Sequence, residues 1–200
     1  CNVDKEGFTK VSPFFHFVKA SIGSKNLKSI FEDQMLLRST LRSICILDGD
    51  VHPDAKSLNN CIMMLPGNTT PEKFVISYAQ KLYDTNSSFW KDPLLVHLGY
   101  NLTWCRDTFL KGAKDIEEET NRLIANGAST HGVRRQLSKN FFQSHIEFIQ
   151  LLLRHWLQSA ENSPEIYKFY STLWILFKKV SEFHGMFGVE WVKARSLDQL

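Results

Sequence analysis

The chain has 200 residues, 43% of them hydrophobic and 22% charged, a balance that is typical of a folded globular protein and excludes a disordered one. Its length suits one substantial α/β domain, or a small domain with a helical extension. A formal net charge of +3 is compatible with a polyanionic partner but far from the strong positive field of a nucleic-acid coat protein.

The N-terminal part of the sequence predicts strands that alternate with a helix. Residues 14–20 read as a short strand, and apolar residues near the 3.6-residue period then predict a helix over 27–41. Continuous apolar runs at 44–47 and 61–65 predict two further strands. Because strand, helix, strand is the order of a βαβ unit, we expect a parallel sheet with a right-handed crossover.

The C-terminal part of the sequence is rich in aromatic residues, and its apolar residues recur at the 3.6-residue period of a helix. We expect an α/β core over residues 1–87, followed by a mostly helical subdomain over residues 88–200. Because large aromatic side chains are favoured in cores and interfaces alike, we expect this subdomain to form a lid and an assembly surface in an oligomer. The predicted helices cover residues 94–107, 114–125, 134–159 and 164–183. The tryptophans of this part are Trp90, Trp104, Trp156, Trp174 and Trp191.

The cysteines bear on the cellular compartment. The four of them form no CxxC pair and show no zinc-ligand spacing, and Cys45 and Cys61 lie in apolar runs. This usage favours a reducing compartment, so we expect a cytoplasmic protein. The sequence has no signal-peptide pattern and no apolar run of membrane length, and we expect no membrane association. A first residue of Cys1 is compatible with a fragment of a longer protein.

Two carboxylates directly follow the strand predicted over 44–47. Ligand sites in α/β folds lie beyond the carboxyl ends of the strands, which is where Asp48 and Asp50 stand. Residues i and i+2 of an extended chain point the same way, so both carboxylates can converge on a hard cation such as Mg²⁺. Gly49 between them is expected to keep that approach uncrowded. The alternative is a solvated Asp-Gly turn.

A second polar turn, residues 65–72, follows the next predicted strand. In a parallel sheet this turn opens at the same edge as the first one. Thr70 is expected to cap a helix that begins at Pro71, and the helix dipole favours the carboxylate of Glu72 in its first turn. The segment is therefore either a good helix cap alone, or the source of a third oxygen ligand for Mg²⁺.

Taken together, the motifs ILDGD at 46–50 and LPGNTTPE at 65–72 resemble the Toprim nuclease domain of the overcoming-lysogenization-defect (OLD) family of ATPase-nucleases and related phage-defence proteins. The resemblance implies a Toprim-like parallel sheet with flanking helices. It also implies metal-dependent hydrolysis of phosphodiester bonds in DNA or RNA, with Mg²⁺ or Mn²⁺ as the cofactor. Because this chain contains no Walker sequence, the ATPase would be another domain or subunit.

The resemblance also assigns roles to single residues around the two motifs. Asp48, Asp50 and Glu72 would hold the metal ions, with Asp48 counted as catalytic. Thr70, in the Ser/Thr-x-Glu motif, would contact the substrate. The family pattern further includes a glutamate on an earlier strand, for which the only candidates here are Asp4 and Glu6.

The early glutamate marks a departure from the family pattern. The segment between Glu6 and the next predicted strand is short for the usual intervening helix, and Pro13 would interrupt one. Either Asp4 or Glu6 is a displaced counterpart, or the residue is absent from this chain. The second case leaves open a catalytically degenerate, Toprim-like interaction scaffold.

A basic segment at a predicted helix start supplies candidates for binding the phosphate. The family uses a late lysine near the scissile phosphate, and Lys139 is the candidate for this catalytic role. Arg134 and Arg135 precede it, and cations at a helix start suit substrate phosphates. The alternative is a solvated helix face.

A second enzyme class also fits the first motif. In haloacid-dehalogenase phosphatases the first aspartate of such a motif is a nucleophile and the second a general acid. That fold also needs a downstream lysine and paired aspartates after a later strand. The acidic run at 115–119 lies instead on a helical pattern, so the phosphatase ranks behind the nuclease.

Overall fold

The computed structural model describes residue 18 and residues 22–33, 43–51 and 58–183, without the side chains of 130, 131, 133–135 and 181–183. The chain divides into two compact units. The first comprises Cys1–Thr70 and Ala160–Leu200, and the second comprises Pro71–Ser159. Of the strand expected over 14–20, only residue 18 is described, with no strand assigned there. The rest of that strand lies outside the described residues, and the domain boundary expected at residue 87 stays a prediction.

Helices predominate over strands in the described residues. In the first unit these elements are α1 (Ser24–Glu32), β1 (Cys45–Leu47) and β2 (Ile62–Met64). In the second unit they are α2 (Pro71–Asp84), α3 (Pro93–His97), α4 (Leu102–Trp104), α5 (Lys111–Ala125), α6 (Thr130–Ser144) and α7 (Ile146–Gln158). The long helix α8 (Ser163–Phe183) returns to the first unit. Short 3-10 turns cover Ser88–Lys91 and Ala160–Asn162.

A parallel strand pair forms the centre of the first unit. β1 and β2 are paired with Cys45 opposite Ile62 and Leu47 opposite Met64. Because successive strand residues point to opposite faces, each face of the pair buries a different set of side chains. On one face, Cys45, Leu47 and Ile62 pack with Phe31 of α1. The expectation of a mixed α/β fold with a parallel sheet is confirmed for this pair of strands.

The other face of the strand pair is covered by α8. Met63 of β2 forms a buried cluster with Leu173 and Leu176 of that helix, and Ile46 packs against the same cluster. Without these two helices the apolar side chains of the strands would be exposed to water, at a cost of about 25 cal/mol per Å². The strand pair is therefore a layer between two helices, one from each end of the described sequence.

The second unit has an aromatic core. Phe109 and Phe148 are fully buried, with ring centroids 4.9 Å apart in an edge-to-face arrangement. Trp104 meets Phe148 edge-on at 4.8 Å, and the indole N–H of Trp90 donates a hydrogen bond of 2.9 Å to the carbonyl of Leu82. Edge-to-face geometry is one of the two favoured arrangements of aromatic pairs. These rings hold the helices of the unit together.

Two predicted helices are interrupted in the structure. The helix expected over 94–107 ends at His97, because Gly99 adopts a left-handed φ of 81° and Asn101 then caps α4 through its side chain. The helix expected over 134–159 is two helices, α6 and α7, separated at His145. Between α4 and α5, residues Cys105–Leu110 form a π-helical segment. Period alone did not locate these breaks.

Burial differs among the tryptophans that suggested an assembly surface. Trp90 and Trp156 are buried in the second unit, whereas Trp104 and Trp174 are half-buried. Trp191 lies outside the described residues. The lid and assembly role of the helical part stays a prediction.

Candidate functional site

The two motif turns leave the strand pair at the same edge. Asp48, Gly49 and Asp50 follow β1 directly, and residues 65–70 follow β2. Since the strands are parallel and in register, their carboxyl ends lie side by side, and the Leu65 amide donates to the carbonyl of Leu47 at 2.9 Å. The turns that the sequence placed at one edge are therefore adjacent within the first unit.

Gly49 is buried at the point where the two turns touch. A Cβ atom on Gly49 would lie 2.8 Å from the carbonyl oxygen of Thr69 and 3.0 Å from that of Leu65. It would also lie 3.1 Å from the amide nitrogen of Thr69. The sequence suggested that this glycine keeps the approach of an ion uncrowded. In the structure, the space that it leaves is filled by the backbone of the second turn.

Asp48 and Asp50 are exposed on either side of the buried glycine. The turn is closed by the Val51 amide, which donates to the carbonyl of Asp48 at 3.1 Å. Two exposed carboxylates on a fixed turn are oxygen donors of the kind that Mg²⁺ and Mn²⁺ bind. The chemistry of the two carboxylates is thus compatible with such an ion, and Gly49 packs the turn that carries them against the neighbouring turn.

The third predicted ligand lies at the start of the second unit. Glu72 is exposed in the first turn of α2, which begins at Pro71 as the sequence predicted. Thr70 is the last residue of the first unit before that helix. Over the part of the chain that the structure describes, no group of three or more His, Cys, Asp or Glu side chains is arranged to hold a metal ion. The site of Asp48, Asp50 and Glu72 stays a prediction.

The predicted phosphate-binding cations all lie on α6. Lys139 is exposed in the middle of this helix, and Arg134 and Arg135 belong to its N-terminal half. The two candidates for the early glutamate, Asp4 and Glu6, lie outside the described residues. The substrate-binding and catalytic roles of these residues stay predictions.

One polar contact of the motif turns is not predicted by any local sequence pattern. The amide of Gly67, in the turn after β2, donates a 2.6 Å hydrogen bond to Oε1 of Glu165 in the first turn of α8. The two residues are 98 positions apart. Glu165 lies at an ordinary helix start, so nothing in the local sequence marks it as a neighbour of the motif.

The acidic run considered for a phosphatase lies within α5. Residues 115–119 are helical, as the sequence pattern indicated, and Glu119 forms a two-point ion pair with Arg122, with N–O distances of 2.8 and 2.7 Å. A run on a helix face does not provide paired aspartates after a strand. The structure thus gives this run an ordinary role on a helix surface.

The thiols are poor candidates for a nucleophile. Burial raises the pKa of Cys45 to about 11 and that of Cys105 to about 12. Burial also raises the pKa of Cys61. Because the thiolate is the reactive form, these three free cysteines behave as small core residues.

Comparisons with protein-family models, with curated proteins and with solved structures found no match to this chain. Among the helices that the structure describes, none is long and apolar enough to cross a membrane.

Proposed function

We propose that this chain is a metal-dependent nuclease of the Toprim type that hydrolyses phosphodiester bonds. The observation that carries the proposal is the contact between the Asp48-Gly49-Asp50 turn and the turn after β2, at the carboxyl edge of a parallel strand pair. The two sequence motifs behind the family resemblance are thus neighbours in space as well as in sequence.

The proposed roles follow the chemistry of the side chains. Asp48 and Asp50 would hold Mg²⁺ or Mn²⁺ through their exposed carboxylates, and the family resemblance assigns Glu72 as a further ligand. Such an ion, when bound, lowers the pKa of a water molecule and neutralises charge on the phosphate. The Thr70 hydroxyl would donate a hydrogen bond to a phosphate oxygen of the substrate.

The cations of α6 complete the proposal. Arg134 and Arg135 would bind substrate phosphates, for which a guanidinium offers two donors in one plane. Lys139, which is exposed, would offset negative charge near the scissile phosphate. The finer parts of the proposal are a Toprim-like sheet with a further strand at 14–20, a cytoplasmic oligomer, and an ATPase domain or subunit that couples the nuclease to phage defence.

The test combines metal binding and cleavage by the purified chain. We expect calorimetric titration to detect Mn²⁺ binding, and plasmid DNA or single-stranded RNA to be cleaved only when Mn²⁺ or Mg²⁺ is present. Asp48→Asn and Glu72→Gln should each lower cleavage by about 100-fold or more, because a ligand to the ion is lost. Asp33→Asn is the matched control, since it neutralises an exposed carboxylate outside the motifs.

The outcomes separate the three candidate functions. Cleavage that is unchanged in an Asp48→Asn, Glu72→Gln double variant would refute the nuclease mechanism. Hydrolysis of para-nitrophenyl phosphate without cleavage of nucleic acid would favour the phosphatase. If the chain binds no Mn²⁺ at all, the interaction scaffold is the better description. Thermal unfolding of each variant shows that a loss of activity is not a loss of fold.

A further inference from the structure

The turn after β2 has an unusual backbone that needs support. Gly67 has a φ of 99° and Asn68 a φ of 48°, so two successive residues lie in the left-handed region. Glycine enters this region without strain and asparagine tolerates it better than most residues. Two left-handed residues in a row still define a specific turn, which a chain without further contacts would populate only in part.

The carboxylate of Glu165 supports this turn from α8. Its Oε1 accepts the Gly67 amide at 2.6 Å in a partly buried position. The contact therefore fixes the turn at its first left-handed residue.

Helix α8 is itself held against the strand pair along its length. Leu173 and Leu176 are buried against Met63 of β2. Further along, the ammonium group of Lys179 donates a hydrogen bond to the carbonyl of Asn59, just before β2. Glu165 thus projects from a helix that contacts the segment before β2, the strand and the turn after it.

From these contacts we infer that Glu165 is a positioning residue for the proposed metal site. The contacts run from Glu165 to Gly67, and then from Thr69 in the same turn to Gly49, between Asp48 and Asp50. The inference rests on the proposed function, since the positioned group is the carboxylate pair of that site. Glu165 acts through the backbone amide of Gly67, so an uncharged acceptor of the same shape should replace it.

The experiment measures the turn and the ion separately. Amide hydrogen exchange is measured on the whole chain without any metal, and the peptide covering residues 65–70, recovered after exchange, reports on the turn. Mn²⁺ titration of the same chain reports on the site. Glu165→Ala should speed exchange of the Gly67 amide about tenfold or more and weaken Mn²⁺ binding about 10- to 100-fold. Glu165→Gln keeps an oxygen acceptor and should stay within about threefold of the natural chain in both measurements.

Lys168→Ala is the control on the same helix, because Lys168 is exposed one turn further along α8. It should change neither measurement. If Glu165→Ala also changes neither, the inference is overturned while the nuclease proposal stands. If Glu165→Gln weakens Mn²⁺ binding as much as Glu165→Ala does, Glu165 is a metal ligand and its positioning role is refuted.

A failure of the proposed function would give a different result from a failure of the inference about Glu165. A natural chain that binds no Mn²⁺ overturns the metal site and, with it, the positioning of that site by Glu165. In that case faster exchange in Glu165→Ala would still show that the carboxylate holds the turn, so the two failures are told apart by the exchange measurement.

Discussion

Replacing Gly49 by alanine tests the contact between the two motif turns. The added Cβ would lie 2.8, 3.0 and 3.1 Å from the Thr69 oxygen, the Leu65 oxygen and the Thr69 nitrogen, all closer than an ordinary contact of 3.4 Å or more. All three neighbours are backbone atoms, so no side chain can rotate away and one turn must shift. Overpacking of this kind typically lowers the free energy of unfolding by about 1–3 kcal/mol.

The assay is urea denaturation followed by far-ultraviolet circular dichroism, with Gly132→Ala as the matched control. Gly132 lies in α6, and a Cβ there would meet no atom within 4 Å. Gly132 is in the first turn of α6, with a backbone conformation that alanine adopts without strain, so this control should raise the free energy of unfolding by about 0.4–1 kcal/mol. The same change of residue is thus expected to have opposite signs at the two positions.

A Gly49→Ala chain that is as stable as the natural one would refute the reasoning, because the turns could not then be in backbone contact. Mn²⁺ titration of the same variant adds a functional reading. If the turns form the proposed site, Gly49→Ala should also weaken Mn²⁺ binding by about 10-fold or more, as expected for a change beside the ligands.

Two further predictions concern the cores. Phe148→Ala removes a fully buried ring whose centroid lies 4.9 Å from that of Phe109 and 4.8 Å from that of Trp104. This change should lower the free energy of unfolding by about 3–5 kcal/mol in the same urea assay. Burial raises the pKa of Cys45 from 9.0 to about 11, so its contribution to stability is complete below pH 9 and is lost as the pH rises to 11. Unfolding at pH 8 and pH 10, in the natural chain and in Cys45→Ala, measures this loss.

Each of these predictions has a clear contrary result. A cost below about 1 kcal/mol for Phe148→Ala would mean that the aromatic cluster is not a packed core. For the thiol, the natural chain should lose more stability between the two pH values than Cys45→Ala does. Equal losses would show that Cys45 ionises as easily in the folded chain as in the unfolded one.

Local signals in the sequence were sufficient for the strand pair and for the start of α2. Continuous apolar runs that end in polar turns indicated β1 and β2, and Pro71 after Thr70 indicated the beginning of the helix. Parallel pairing was expected from the strand, helix, strand order of the N-terminal part of the sequence, which is the order of a βαβ unit. For the same reason both motif turns could be assigned to one edge before their contact was seen.

The helix breaks were less accessible to such reasoning. Apolar residues continue through the interruptions at Gly99 and His145, with Leu95 buried before the first and Phe148 buried after the second. Periodicity reports that a face is buried and not that one helix continues along it. A left-handed residue and a new cap were therefore needed to end α3 and begin α4.

The sequence by itself determined which residues are candidates for the site, because carboxylates after buried strands are a local pattern. Only the tertiary structure decided what Gly49 contacts and that Glu165 supports the neighbouring turn. The physical reason is the range of the interactions. Strand propensity and helix capping act over a few residues, whereas the hydrogen bond from Gly67 joins residues 98 positions apart, which meet only when α8 buries its apolar face on β2.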